Sequence, residues 1–162
     1  MRRLMIVLGL TLSLAACDRG REASANLAAA SAFMAANLKG PGVKTLPSGV
    51  QYRVVASGPA DGPHPGPNDE VKVNYEGKLL NNTVFDSSFA RGEPANFALG
   101  GLIPAWGEAL QRMRPGDTWI LYVPPTMGYG DKASGPIPPN SVLIFKIQLL
   151  GVLAHPGGTR LG

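Results

Sequence analysis

From residue 49 onward the apolar residues fall at alternate positions, and this period constrains the fold more than any other feature. Val50, Tyr52 and Val54 alternate with Gln51 and Arg53, and Val71, Val73 and Tyr75 alternate with Lys72, Asn74 and Glu76. A period of two buries one face of an extended strand and wets the other, which a helix cannot do. Asn81-Asn82 marks a turn, Thr83–Asp86 resumes extended structure, and Ala95–Leu99 forms another short strand closed by Gly100-Gly101. Trp119–Val123 is apolar on both faces and reads as a central strand, and Ser141–Leu150 is the last. One segment breaks the period. Pro104–Met113 places Trp106, Leu110 and Met113 on one helical face, opens on a proline suited to a first turn, and ends in Arg112, Arg114 and Pro115-Gly116-Asp117. Pro124–Pro139 is a long loop interrupted by glycines. The expected fold is α+β: a curved antiparallel sheet of five to six strands wrapped around one short helix.

The first 44 residues follow different rules. A short N-terminal helix is expected from about Glu22 to Leu38, with Leu27, Phe33, Met34 and Leu38 near helical spacing and Gly40-Pro41-Gly42 as its stop. It has three possible fates: docking on the domain, pairing with another copy, or serving as a tether. Before it, Met1-Arg2-Arg3 and the apolar run Leu4–Ala16 have the architecture of an export signal, too short for a permanent membrane span. Leu14-Ala15-Ala16-Cys17 resembles the lipobox of bacterial lipoproteins. That resemblance implies cleavage before Cys17, acylation of Cys17, and a lipid-anchored protein in the bacterial cell envelope, facing the periplasm. An ordinary cleaved signal with a free cysteine is the alternative. The expected divisions are a signal peptide at 1–16, a lipidated tether and helix at 17–44, a globular domain at 45–152 and a flexible tail at 153–162.

The composition removes several classes of function. Of the net charge of +4, two charges belong to Arg2 and Arg3, and the remaining basic residues are dispersed without a basic-aromatic stripe, so no nucleic-acid partner is expected. One cysteine cannot form an intramolecular disulfide. His64 and His155 lie in Gly/Pro loops with no further ligand at useful spacing, so neither metal nor cofactor is expected. What remains is a set of aromatic residues around one acid: Tyr75, Phe85, Asp86, Phe97, Trp106, Tyr129 and Phe145. No activated nucleophile or proton shuttle accompanies them. Such a set suits a dry, shaped pocket with a few oriented dipoles. Taken singly, each has a plainer reading: Tyr75, Phe97 and Phe145 as strand core, Trp106 as helix core, Asp86 as a turn acid or cap. Tyr129, in a loop between Gly128 and Gly130, is better placed to reach a ligand.

These residues occur in six motifs: VNYEG, TVFDSS, ANFALG, LIPAWGEAL, MGYG and IPPNSVLIF. In this order and spacing they resemble the FKBP-type peptidyl-prolyl cis–trans isomerases over about Thr45–Val152. The stretch Gly42–Tyr52 looks like the start of the domain in the Mip-like and FkpA-like branch, whose members carry a longer helical dimerisation arm. The resemblance implies an FKBP-like fold and an enzyme, without cofactor, that speeds X–Pro rotation in exported proteins. Its partners would be proline-containing chains and, through the anchor, a membrane; macrolide immunosuppressant-type ligands would suit the same pocket. Carried over residue by residue, Trp106 matches the pocket floor and Tyr75, Phe97 and Phe145 its walls. Leu102 and Ile103 match a rim where a backbone N–H meets a substrate carbonyl. Phe85 and Asp86 match a Phe-Asp pair whose acid orients the twisted carbonyl. Tyr129 matches a flap hydroxyl donor and Ile137 an apolar flap position. This sequence departs from the family pattern in a flap one residue shorter, in Lys132-Ala133-Ser134 where relatives often carry a histidine, and in Ala105 for a common glycine. A non-catalytic proline-binding chaperone module and a structural envelope lipoprotein are the competing classes.

Overall fold

The structure, a computed structural model, describes residues 12–153, with 12–17 and 19 described by backbone alone. The expected signal segment before residue 12, the Cys17 side chain, His155 and the tail from 154 lie outside the described residues.

Seven strands form one antiparallel sheet: β1 (Val43–Thr45), β2 (Gln51–Ala56), β3 (Glu70–Lys78), β4 (Val84–Ser87), β5 (Ala95–Ala98), β6 (Thr118–Val123) and β7 (Leu143–Leu153). The spatial order is β1-β2-β6-β7-β3-β4, and β5 also pairs with β3. The count exceeds five to six because β1 is three residues long and β3 has two short partners along one edge. β5 covers Glu70–Val73, and β4 covers Glu76–Lys78. Between them the Tyr75 N–H would face no strand, and the buried Ser88 hydroxyl takes it at 2.8 Å.

The alternation seen in the sequence matches the burial. Val71, Val73 and Tyr75 point into the core with Leu121, Val123, Leu143, Phe145, Ile147 and Leu149 from β6 and β7. β6 lies between β2 and β7, as its two apolar faces require. Against this surface packs a short helix, α3 (Pro104–Leu110), through Ala105, Trp106, Ala109 and Leu110, with Met113 just beyond it. A single-turn helix, α2 (Ser88–Arg91), was not legible in the sequence. Ser87 caps it by accepting from Ala90 N–H, so the cap within the FDSS motif is Ser87 and not Asp86. Register shifts at Lys72/Val73 and Gly77/Lys78 bend β3 across the helix.

The N-terminal helix, α1 (Leu12–Asn37), is 26 residues long and starts well before Glu22. Leucine and alanine are strong helix formers, and they run without a breaker across the expected cleavage point. The expected apolar stripe is half corrected: Leu27 and Leu38 are 52% and 51% exposed. The face turned to the domain is Ala23, Asn26, Ala30, Phe33, Met34 and Asn37, whose side chains are buried or half-buried. Phe33 packs on Tyr122 of β6 at 6.0 Å, and the Gln51 side chain exchanges hydrogen bonds with Asn37 and Met34 O at 2.8 Å each. Phe33 and Met34 thus share this contact with small and polar residues, Ala23, Asn26, Ala30 and Asn37, which a search for large hydrophobes misses.

Candidate active site

A cavity of about 470 Å³ opens between α3, the β3–β4 edge and the loop after β6. Its lining includes all ten of the residues singled out in the sequence: Tyr75, Phe85, Asp86, Phe97, Leu102, Ile103, Trp106, Tyr129, Ile137 and Phe145. Gly101, Ser134, Gly135 and Pro136 complete it.

Trp106 projects from the first turn of α3, where Pro104 starts the helix and the Trp106 N–H is held by Ile103 O at 3.0 Å. Three rings stand edge-on to the Trp106 ring: Tyr75 at 5.2 Å, Phe145 at 5.3 Å and Phe97 at 5.8 Å, all with interplanar angles above 80°. Phe85 in turn stands edge-on to Phe145 at 5.6 Å. Edge-to-face pairs are favoured by the ring quadrupoles, so the walls hold one another upright. Gly77 makes this possible, since a Cβ there would lie within 2.7 Å of both Phe85 and Phe145. That is why the VNYEG motif ends in glycine.

Polar groups occupy one wall. The Tyr75 hydroxyl donates to Asp86 Oδ2 at 2.5 Å, and Arg91 Nη1 pairs with Asp86 Oδ1. Arg91 Nη2 also donates to the Tyr75 oxygen at 2.9 Å, and its guanidinium lies 5.5 Å from the centre of the Tyr75 ring. Burial pushes the Asp86 carboxyl up, but the hydrogen bonds from Tyr75 and Arg91 and the Arg91 charge outweigh it, leaving the acid below its ordinary range. Burial and the neighbouring Asp86 push the Tyr75 phenol the other way, above its ordinary value. The carboxylate is therefore ionised with both oxygens committed. Arg91 was missed by the sequence reading; its signal was its place five residues after Asp86, at the end of the turn that Ser87 caps.

The far side of the cavity is the loop after β6. Tyr129 is 41% exposed and Ile137 is buried, and both line the cavity. Ser134 and Ile137 exchange backbone hydrogen bonds at 2.9 Å around Gly135-Pro136, and Gly135 takes the left-handed conformation (φ +52°) such a two-residue turn needs. At the rim, Leu102 N–H is committed to Leu99 O at 3.2 Å. Among the described residues the lining holds no histidine, cysteine or lysine. What the arrangement offers is an apolar slot with a fixed negative charge on one wall and a hydroxyl at the rim.

The family described as FKBP-type peptidyl-prolyl cis-trans isomerase matches residues 62–150, and the domain described as amino terminal to that isomerase matches residues 13–54. The chain is 55% identical over 122 residues to the peptidyl-prolyl cis-trans isomerase Mip of Coxiella burnetii, covering 75% of this chain and 52% of that protein. It is 46% identical over 133 residues to the outer membrane protein MIP of Legionella longbeachae, covering 82% and 56%. The chain thus spans about half the length of these curated relatives. The crystal structure of FkpA from Escherichia coli superposes with a TM-score of 0.83 at 39% identity, covering 88% of this chain and 66% of that one.

Proposed function

The chain belongs to the FKBP-type peptidyl-prolyl cis–trans isomerase family, and from that premise we propose that its cavity speeds rotation about X–Pro peptide bonds in exported proteins. The observation that carries this reading is the Trp106 floor enclosed by three edge-on rings beside one ionised carboxylate. An X–Pro bond resists rotation because the nitrogen lone pair is delocalised into the carbonyl, a barrier of about 20 kcal/mol. Twisting ends that delocalisation and makes the amide less charge-separated. A slot that replaces water with aromatic carbon therefore favours the twisted form over the planar one. The proline ring, which has no N–H to satisfy, lies on Trp106 between Tyr75, Phe97 and Phe145, with Phe85 behind them. The Ile103 amide meets a substrate carbonyl at the rim, since Leu102 N–H is already used. Tyr129 donates its hydroxyl to the substrate, Ile137 covers it, and Asp86 fixes the electrostatic orientation of the twisting carbonyl. A barrier lowered by about 8 kcal/mol corresponds to a rate factor near 10⁶.

The test is exchange spectroscopy on a short X–Pro peptide with and without the protein. Acceleration that falls at least tenfold in Asp86→Ala and Trp106→Leu, with folding retained, supports catalysis. Peptide binding without acceleration would replace this reading with a non-catalytic proline-binding module.

The proposal includes placement in the bacterial envelope. Leu14-Ala15-Ala16-Cys17 supports cleavage before Cys17 and acylation of its sulfur and new amino terminus, and a relative is named as an outer membrane protein. Several acyl chains together hold a protein firmly where one does not. Metabolic labelling with an alkynyl fatty acid, present in the parent and absent in Cys17→Ala, tests it.

A further inference from the structure

The loop that carries Ile137 has a narrow neck, Tyr129 stands immediately before that neck, and α1 grips it. The loop leaves the fold at Gly130, whose N–H donates to Pro125 O at 2.9 Å, and returns at Asn140, whose N–H donates to Gly130 O at 2.8 Å. Asn140 adopts the left-handed conformation with φ +55°, which asparagine tolerates better than most residues with a Cβ. Its side-chain amide donates to Ala23 O on α1 at 3.0 Å. In return, the Asn26 side chain on α1 donates to Pro139 O at 2.9 Å. Two side-chain amides, one from each partner, thus join a helix and a loop more than 110 residues apart in the chain.

Two open clefts flank these bridges. A space of about 170 Å³, bordered by Asn26, Ala29, Pro138 and Asn140, lies beside them. A larger one of about 550 Å³, bordered by Leu27, Ala30, Met34, Pro125, Gly130 and Asn140, lies beside them too. Ala30 is buried on this face of the helix, and the two directional hydrogen bonds across the clefts fix which helix residues meet the neck. We propose that Asn26 and Asn140 are positioning residues: they tie the active-site loop to α1, so that the seating of α1 sets how firmly Tyr129 and Ile137 are held over the cavity. The inference deepens the isomerase reading above and rests on it. It gives the N-terminal helix a part in the site itself.

The test uses the full chain in three forms: Asn26→Ala, Asn140→Gly, and the double variant. Glycine at 140 accepts the left-handed backbone while removing the amide, and Asn26→Ala, which leaves every loop residue in place, controls for the added backbone freedom at 140. Hydrogen exchange is read at Ser134 and Ile137, whose N–H groups pair within the loop, with β3 and β7 amides as the internal control. Each lost bridge is expected to speed Ser134 and Ile137 exchange several-fold, and the double variant about tenfold or more, with β3 and β7 unchanged. On X–Pro peptide, kcat is expected to fall by about three- to tenfold with little change in KM, because the floor and walls still bind the proline ring. Asn140→Asp, which cannot donate to Ala23 O, should not restore either readout. Unchanged loop exchange in the double variant overturns the proposal, as does loosened exchange with unaltered kcat. Exchange is read without substrate, so a parent protein that isomerises nothing sinks the isomerase reading and leaves the helix–loop tie to be judged on exchange alone.

Discussion

Replacing Tyr75 by Phe deletes one oxygen and leaves the pocket wall standing, which makes it the sharpest probe of the polar side of the site. The Phe ring would keep its edge-on contact with Trp106, which is 5.2 Å away in the parent. The hydroxyl it lacks donates to Asp86 at 2.5 Å and accepts from Arg91 at 2.9 Å. A hydrogen bond to a charged acceptor contributes roughly 1.5–3 kcal/mol. Asp86 keeps Arg91 and is only partly buried, so water offsets part of the loss and a net cost of about 1–2 kcal/mol is expected. The acidity of Asp86 should respond in a defined direction. Burial raises it, and the Tyr75 hydrogen bond comes first among the effects that lower it. Without that bond the carboxyl moves up toward its ordinary value of about 3.9. A depressed carboxyl contributes stability above its unfolded pKa, and the contribution is lost as pH falls through the folded pKa. In Tyr75→Phe that loss should set in at higher pH. Carbon-detected NMR titration of the Asp86 carboxyl, with urea unfolding at several pH values, reads both effects. Peptide isomerisation should also fall, because the carboxylate loses the hydroxyl that fixes one of its oxygens. An Asp86 that titrates at the same pH in parent and variant would refute the reasoning.

Gly77→Ala should destabilise the fold by about 1–3 kcal/mol and weaken peptide binding as well, because its new methyl group can be housed only by moving Phe85 and Phe145, two walls of the cavity; urea midpoints and peptide titration check the pair of effects. Ser88→Ala should cost about 1–3 kcal/mol in urea unfolding, since it leaves the Tyr75 N–H buried in the gap between β4 and β5 without its acceptor. Isomerisation should be flat from roughly pH 5 to 9, because Asp86 titrates below its ordinary range and Tyr75 above its own. A step within that interval, measured on a peptide that does not itself titrate, would contradict the assignment.

The parts of the molecule legible in the sequence are those governed by periodicity. The alternation of β3, the two-faced apolarity of β6 and the proline-led α3 each follow from which faces are buried, and the structure places them accordingly. The aromatic lining was legible because it lies in motifs whose order could be matched as a set; singly, Trp106 or Phe145 would read as core, and both are in fact buried. Illegible features depend on contacts between distant segments. Arg91 gives no periodic signal and acquires its role only when α2 turns it back on Asp86 and Tyr75. Ser88 reads as a turn residue until the split edge of β3 needs an acceptor. The docking face of α1 holds Phe33 and Met34, which helical spacing picks out, but also Ala23, Asn26, Ala30 and Asn37, which it does not, while Leu27 and Leu38 stay about half exposed.

If the proposed isomerisation takes place in this cavity, the arrangement around Asp86 gives its carboxylate a part that transfers no proton. Burial alone would move the acid upward in pKa. Here one oxygen is held by the Tyr75 hydroxyl and the other by Arg91, so the group stays ionised with its lone pairs directed away from proton transfer. What it retains is a fixed negative potential on one wall of an apolar slot. As an X–Pro amide twists, its carbonyl loses electron density from nitrogen and its carbon becomes more electron-poor, so under the proposed function a negative wall beside that carbon would favour the twisted state more than the planar one. The same charge in open water would be screened to near irrelevance. The aromatic floor and the tethered acid thus act together: Asp86 stands half-exposed at the edge of the slot, where water screens it on one side, and the Tyr75–Arg91 pair keeps the charge fixed on the side that faces the rings.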